Sequence, residues 1–510
     1  MKPAARDLLA GLALFAAAVL VLPLWPPLLG TADESYYLYE AKRLLGGEVL
    51  YREVFEITMP GSLWLMAAVY RVFGVDLAVA RAAFAVVHGL TAVLLFTAAR
   101  QLGVRTGLAL LVGAAHLVIG QPAWPFASPH WLGSLCSAAL LCALLACRPR
   151  RAPRAWLLPG IVLGLLIAIT HQRAPAYLLG TLAVLAFDAF GGAGGHWRGL
   201  LARAAALAGG GALILVPVFA YLLATSGAEP VVRALVLYPL LHYRKSVPRV
   251  PWGLTTGITR GFADNTFPLL LRWLPPLVFL VVSARLAAAL GRRDGAATRD
   301  AVVLLAMGGA AVASIAYFPD FIHIAFAAGV FLVAAADCAE RLLRRLNAHA
   351  GWRRPAATAV AAVGLLALGW HWRATIVRNQ ALTPLRADTA FGRVAFANPL
   401  EPQLYARVNA LLDADPRRLL FVYPTYAALY LTTGAHNPTP YQVMTKDYGG
   451  EEELAEIVAI LERERPHVVV LVRPLVPGGT DAVTAYVDAH YAPTDGDPKL
   501  GQAVLVRRDS

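Results

Sequence analysis

The sequence predicts an α-helical polytopic membrane protein, with about 11 transmembrane helices and two interfacial helices in the first outer loop, followed by a C-terminal small soluble α/β domain. Three observations carry that prediction. The 510 residues are 58% hydrophobic and only 15% charged, against about 45–50% apolar and about 25% charged in an average soluble domain. Apolar stretches recur at the length a bilayer demands. Residues 374–510 then change in both charge and patterning.

A hydrocarbon core takes about 17–25 mostly apolar residues per helix. On that ruler the spans fall near 8–29, 78–99, 106–122, 129–147, 155–170, 174–191, 204–225, 267–290, 301–318, 321–339 and 356–372. The first is long and lacks a following small-residue cleavage site, so it reads as an uncleaved span.

The formal charge of +13 would suit a nucleic-acid protein, but its placement excludes nucleic acid as the partner. Residues 374–510 hold 13 Lys+Arg and 16 Asp+Glu, which leaves 32 and 16 for the hydrophobic part. There the cations cluster between alternate spans, at Lys2 and Arg6, Arg100 and Arg105, Arg148 to Arg154, Arg198 and Arg203, Arg292 and Arg293, and Arg341 to Arg354. The positive-inside rule makes that side cytoplasmic. The chain is thus expected in the inner (plasma) membrane, N-terminus cytoplasmic, with an odd span count leaving the tail extracytoplasmic. Cys136, Cys142, Cys147 and Cys338 all lie in apolar runs and read as small core residues. Gly191–Gly195 follows a membrane helix and lacks a Lys-Ser/Thr ending, so it reads as a turn.

The first outer loop is the richest segment. It runs Asp33-Glu34-Ser35-Tyr36-Tyr37-Leu38-Tyr39-Glu40, continues to Gly46-Gly47, and then reaches Met59-Pro60-Gly61. Two amphipathic helices, about 34–45 and 61–73, are too short to span and rich in interfacial Tyr and Trp. Glycines end the first and Pro60 opens the second. Asp33 stands where an N-cap would. A carboxylate at the mouth of a membrane cavity can equally take a proton from a hydroxyl, which contributes typically about 10²–10⁴-fold.

The tail, residues 374–510, alternates helical spacing at Glu401–Leu412 and Glu451–Arg465 with short apolar strands at Leu419–Tyr423, Val468–Val472 and Ala503–Val506. Two domains follow, a membrane domain over 1–373 and an extracytoplasmic α/β domain over 374–510. Asp413-Ala414-Asp415 has the form of a metal-holding Asp-x-Asp motif, but it follows a helix and precedes Pro416, the setting of a polar helix end. No His/Cys/Glu set has zinc spacing. No metal or other cofactor is therefore indicated, and metal dependence stays open.

The stretch 31–81 resembles the GT-C superfamily of polytopic glycosyltransferases, above all the bacterial relatives of protein O-mannosyltransferases and of the aminoarabinose transferase acting on lipid A. The residues that carry the resemblance are the Asp33-Glu34 pair, the Tyr-x-x-x-Ala-x-x-Leu-x-x-Gly helix from Tyr37 to Gly47, Met59-Pro60-Gly61, and Phe73-Gly74 followed by Arg81. The resemblance implies an inverting transfer of a sugar, mannose-like by family weight, from a polyprenyl-phosphate donor to an acceptor hydroxyl on a protein, lipid or glycan. It makes Asp33 the match to the family's catalytic aspartate, with Glu34 the second member of its acidic pair.

A lipid phosphate leaving group calls for cations near membrane depth, where they are otherwise rare. Candidates for the donor phosphate are Arg81, His171 and Arg173 at an outer turn, and His242, Arg244 and Lys245 in the 226–266 loop. Arg173 can bind phosphate oxygens bidentately. Its alternative is a snorkelling turn residue. Tyr37 is a candidate for substrate binding, and Asp320 with His323 at another outer turn either bind sugar hydroxyls or phosphate or simply pair with each other. A lipid or glycan transporter would also need many spans and buried cations, but related halves or broken central helices are not evident in the sequence.

Overall fold

The computed structural model describes residues 3–30, 33–147, 152–190, 197–243, 250–255, 264–347, 353–444, 450–476, 480–494 and 501–508. Gly191–Gly195, Arg249 and Arg260 lie outside the described residues. The membrane part contains α1 (Pro3–Val21), α2 (Asp33–Leu45), α3 (Gly61–Phe73), α4 (Leu77–Gln101), α5 (Thr106–Ala115), α6 (Pro129–Ala146), α7 (Leu157–Thr170), α8 (Ala174–Phe190) and α9 (Trp197–Thr225). It closes with α10 (Pro268–Gly291), α11 (Gly295–Ser314), α12 (Phe321–Asn347) and α13 (Arg353–Leu382).

Among the described residues ten helices are long and apolar enough to cross a membrane, and the remaining expected span, Ala174–Phe190, is apolar but at 17 residues one shorter than the shortest of the ten. The expected last span ended at 372, with the domain boundary at 373; α13 instead runs unbroken to Leu382, because Ala374 to Leu382 keeps helical residues until Thr383-Pro384 stops the turn. The third span is irregular. Its α-helix stops at Ala115, widens into a π turn over His116–Gly120 and tightens to a 3-10 turn at Gln121–Ala123, around Pro122.

Sequence dictates how the helices pack. Gly160 of α7 and Gly210 of α9 face each other so closely that a Cβ on either would collide with backbone of the opposite helix. Small residues at such crossings let membrane helices approach. α4, α5, α6, α11 and α12 form the interior, where Phe96, Leu140, Leu144, Leu304 and Phe331 are buried. α1, α9, α10 and α13 carry exposed Leu20, Leu213, Leu280 and Leu366 outward.

At one end of the bundle the arginines meet carboxylates. Arg100 pairs with Asp7 at 3.0 Å, Arg105 with Glu340 at 2.7 Å, Arg299 with Asp188 at 2.6 Å and Arg285 with Asp337 at 2.7 Å. At the other end lie α2 and α3. Acidic residues Asp33 and Glu34 open α2 and Lys42 and Arg43 close it, matching the helix dipole. Gly47 follows in the left-handed region at φ +98.

The tail begins with a hairpin, β1 (Leu385–Thr389) and β2 (Gly392–Phe396), and continues with α14 (Leu400–Leu412), β3 (Leu420–Tyr423), α15 (Ala428–Thr433), α16 (Glu451–Glu464), β4 (Val468–Leu471), α17 (Ala482–His490), β5 (Tyr491–Pro493) and β6 (Ala503–Arg507). The larger sheet has the order β3-β4-β6-β5, with β3 and β4 parallel and the other pairs antiparallel. The period-two alternation of a strand divides it between two cores. Phe421, Tyr423, Val469, Leu471 and Leu505 pack with Ile457 and Leu461 of α16 and Val487 of α17, while Leu420, Val422, Val468, Val470 and Val504 join Val408 of α14 in a core continuous with the membrane helices. Asp413 and Asp415 end α14, where Asp413 pairs with Arg418 at 2.6 Å and Asp415 accepts from the Arg417 backbone N–H.

This second core joins the tail to the first outer loop. Tyr39 of α2 stacks on Tyr430 at 4.7 Å, and its hydroxyl accepts from the Asn437 N–H. The buried Arg43 donates to the Thr439 carbonyl and to Gln442. The hairpin seats on the start of α4, where the Leu77 N–H donates to the Phe391 carbonyl at 3.1 Å.

Candidate active site

Asp33, the first residue of α2, is exposed, yet protein surrounds it closely enough for lost hydration to push its carboxyl pKa upward. Exposure and desolvation together describe a residue that lines a recess. The charge of His323 pulls that pKa back down, and Asp320 pushes it up again. Asp33 thus shares its electrostatic surroundings with two residues nearly 300 positions away at the start of α12.

Asp320 is buried and accepts from the His323 backbone N–H at 2.9 Å, as a helix cap does, and its same oxygen holds His323 Nδ1 at 2.7 Å. That contact fixes the ring and leaves Nε2 to face outward from the pair. Rings of Tyr317, Phe318, Phe326 and His130 stand around His323 at centroid separations of 5.3–5.9 Å.

His130 leads to the buried cation. It follows the Ser128 cap and Pro129 at the first turn of α6, and its Nδ1 lies 3.0 Å from Nη2 of Arg173. Arg173 comes from the turn between α7 and α8 and is 3% exposed, with its guanidinium over the Phe326 ring at 5.5 Å. Its Nε is buried without a hydrogen-bond partner. A buried donor left unpaired is uncommon and costly, and no carboxylate pairs with Arg173 among the described residues. The Tyr317 hydroxyl lies within the electrostatic reach of both Arg173 and Asp33. Asp33, Asp320, His323 and Arg173 therefore gather at one place, joined by His130 and Tyr317.

The remaining sequence candidates lie elsewhere. Glu34 is fully buried and turned away from the recess. Its carboxylate accepts from the Gly30 N–H at 2.8 Å and the Ala127 N–H at 2.7 Å, and it pairs with Arg81 at 3.0 Å. Arg81 also donates to the carbonyls of Leu28 and Pro125. The pair ties the entry to α2 onto α4 and the segment before α6. Tyr37 donates to the Ser62 carbonyl at 2.9 Å, which locks α2 to α3. His171 is half-buried beside Leu235. The His242 ring meets Tyr238 at 5.0 Å and lies near Gly450. Arg244 and Lys245 lie outside the described residues.

Sequence reading missed His130 and Tyr317. His130 had one usable signal, an ionisable residue just inside an otherwise apolar span. Tyr317 had none, since an aromatic at a span end is ordinary interfacial furniture. Among the described residues no group of three His, Cys, Asp or Glu side chains is placed to hold a metal ion.

The arrangement sits in a known fold. ArnT from Cupriavidus metallidurans, solved bound to undecaprenyl phosphate, matches at a TM-score of 0.61 with 13% identity, over 99% of this chain and 98% of that one. The archaeal oligosaccharyltransferase AglB from Archaeoglobus fulgidus, in complex with an inhibitory peptide and a dolichol-phosphate, matches at 0.59 with 12% identity, over 98% of this chain and 74% of its own. Both are GT-C membrane glycosyltransferases. No family model matches the sequence and no curated protein matches it, so the likeness is one of fold.

Proposed function

We propose that this protein is a membrane glycosyltransferase that moves a sugar from a polyprenyl-phosphate donor to an acceptor hydroxyl, with inversion at the anomeric carbon. The observation that carries the reading is that an accessible carboxylate, Asp33, and a buried guanidinium, Arg173, whose Nε lacks a partner, both lie within electrostatic reach of the Tyr317 hydroxyl. Direct displacement needs both kinds of group. Asp33 takes the proton of the acceptor hydroxyl as its oxygen bonds to the anomeric carbon. The bond from that carbon to the phosphate oxygen breaks, and the polyprenyl phosphate leaves with its electron pair. Arg173 meets the charge that builds on the departing oxygens, with a planar fork suited to phosphate. His323, held by Asp320, offers its outer nitrogen to a sugar hydroxyl or a phosphate oxygen.

Glu34 and Arg81 act as positioning residues in this scheme, because their bonds to Gly30, Leu28, Pro125 and Ala127 hold the chain that delivers Asp33. The fold's two neighbours, solved with undecaprenyl phosphate and with a dolichol-phosphate, support a polyprenyl-phosphate ligand. The arginine-rich end of the bundle supports a cytoplasmic N-terminus with the recess and tail outside. Mannose-like sugars head the donors to be screened. The test is transfer of radiolabelled sugar from polyprenyl-phosphate donors to cell-envelope fractions by the purified full chain in detergent. Transfer that disappears with Asp33→Asn supports the reading, and the absence of transfer with every donor by well-folded protein overturns it.

A further inference from the structure

A second recess is lined by Arg81, the partner of Glu34, and does not include Asp33. Its volume is about 380 Å³, and its walls include Trp25 beyond the first span, Phe84 and Arg81 of α4, Gln121, and Arg386 and Arg393 of the tail hairpin. The hairpin register explains the two outer cations. Arg386 stands opposite Ala395 and Arg393 opposite Asp388, so period two projects both arginines, with Asp388, from one face, of which the two arginines line the recess. Both are exposed, and neither forms an ion pair among the described residues. The lining also holds one carboxylate, Asp76, which caps α4 by accepting from the Ala78 N–H at 2.6 Å, against the two arginines of the hairpin.

Deeper in, two polar atoms lack partners. Nε of Arg81 and Oε1 of Gln121 are buried without hydrogen bonds, and Gln121 is 5% exposed. Buried polar groups are satisfied in the great majority of cases, so the inner wall is incomplete without a ligand that both accepts and donates. The floor, by contrast, is apolar. Trp25 packs its ring 5.6 Å from Trp372, at the depth where aromatic side chains mark a membrane interface. Leu20 and Leu24, just before Trp25 in the chain, are exposed on the flank of the bundle.

We propose that this recess binds an anionic phospholipid, with its phosphate between Arg386 and Arg393, a headgroup hydroxyl reaching Gln121, and an acyl chain running out past Trp25 and Leu24. Two planar guanidiniums suit a phosphodiester, and an apolar floor next to the exposed Leu20 and Leu24 distinguishes a lipid from free phosphate. The inference does not rest on the transferase reading, because it uses neither Asp33 nor Arg173. Its occupant would supply the acceptor atom that Arg81 Nε lacks and so would stiffen the support under α2.

The test uses the full chain in detergent with a photoactivatable phosphatidylglycerol, mapping cross-links by peptide mass spectrometry. Cross-links are expected in residues 22–27 or 384–396. Excess unlabelled phosphatidylglycerol should suppress them, while phosphatidylcholine with the same acyl chains should need about a tenfold higher concentration, given two cations at the surface. Arg386→Glu with Arg393→Glu should abolish that preference, and inorganic phosphate at millimolar concentration should leave the cross-links in place. Equal competition by the two lipids overturns the proposal, as does cross-linking confined to other segments. Displacement by inorganic phosphate alone overturns the lipid assignment in favour of a soluble phosphate. Should the double variant fail to fold, the competition on the native chain decides by itself.

Discussion

The two ends of the helix bundle treat the same residue type in opposite ways. At one end Arg100, Arg105, Arg285 and Arg299 each face a carboxylate at 2.6–3.0 Å. At the other, the buried Arg173 faces an imidazole, a phenol and an aromatic ring, and one of its donors is unpartnered. Breaking an ion pair with a buried member strands a charge, so the pairs of Arg105, Arg285 and Arg299 serve stability. Leaving a buried guanidinium without an anion has no stabilising purpose, and the proposed transfer would give it a chemical one. The difference teaches that the informative arginine is the one the fold has not neutralised.

The comparison breaks most sharply at Asp33. Asp33→Asn should cost about 10²–10⁴-fold in sugar transfer through loss of a general base, with no loss of melting temperature. The sign follows from the direction of its pKa. A carboxyl whose pKa is raised in the fold favours the protonated form, so its stabilising contribution exists below the ordinary carboxylate pKa and is lost as pH rises through the raised value. At neutral pH the ionised group therefore strains the fold slightly, and the amide relieves it. Transfer has the opposite dependence, falling as pH drops through that raised value, because the base must be ionised. A variant that transfers within threefold of the native rate would make Asp33 a structural residue only.

The next effect belongs to the neutralised end. Arg299→Ala should lower stability by about 3 kcal/mol, since the half-buried Asp188 would lose both of its charge-assisted hydrogen bonds. Transfer per folded molecule should not change. Arg173→Ala should do the reverse, lowering transfer by about 10²–10³-fold with little effect on the melting temperature, and Arg173→Lys should restore only part because it lacks the fork. If the two variants shift the same quantity, the distinction between the two ends fails. Smallest is Tyr37→Phe, which removes the hydrogen bond to Ser62 and should cost about 1 kcal/mol of stability with transfer retained. Thermal melts and transfer rates on the same preparations check all of these.

Much of the bundle was legible because long apolar windows admit few other structures, and the two short helices of the first outer loop emerge at 33–45 and 61–73 with glycine and proline at their expected ends. The π turn at His116–Gly120 was not, because its residues are as apolar as those of the helix before it. The β1–β2 hairpin was hidden for a different reason. Leu385, Arg386 and Asp388 are exposed, so no buried alternation marks the strand. In the site, Asp33, Arg173, Asp320 and His323 stood out as polar residues at the ends of apolar spans. That Glu34 faces Arg81 across 47 positions, away from the recess, is fixed by the packing of α2 on α4 and by no local spacing.

The shared core of tail and first outer loop has a consequence for the order in which this protein is made. The loop carrying Asp33 is translated early, and Arg43 has a local partner in Glu48, yet the Tyr39 ring and Nη1 of Arg43 find theirs in Tyr430, Asn437, Thr439 and Gln442, which arrive nearly 400 residues later. Until then the Tyr39 ring and one nitrogen of Arg43 lack the partners that bury them in the finished fold. Synthesis of the last quarter of the chain therefore completes the first loop, and a nascent protein stalled after Leu382 would hold every described membrane helix while its earliest outer segment still waited to be finished.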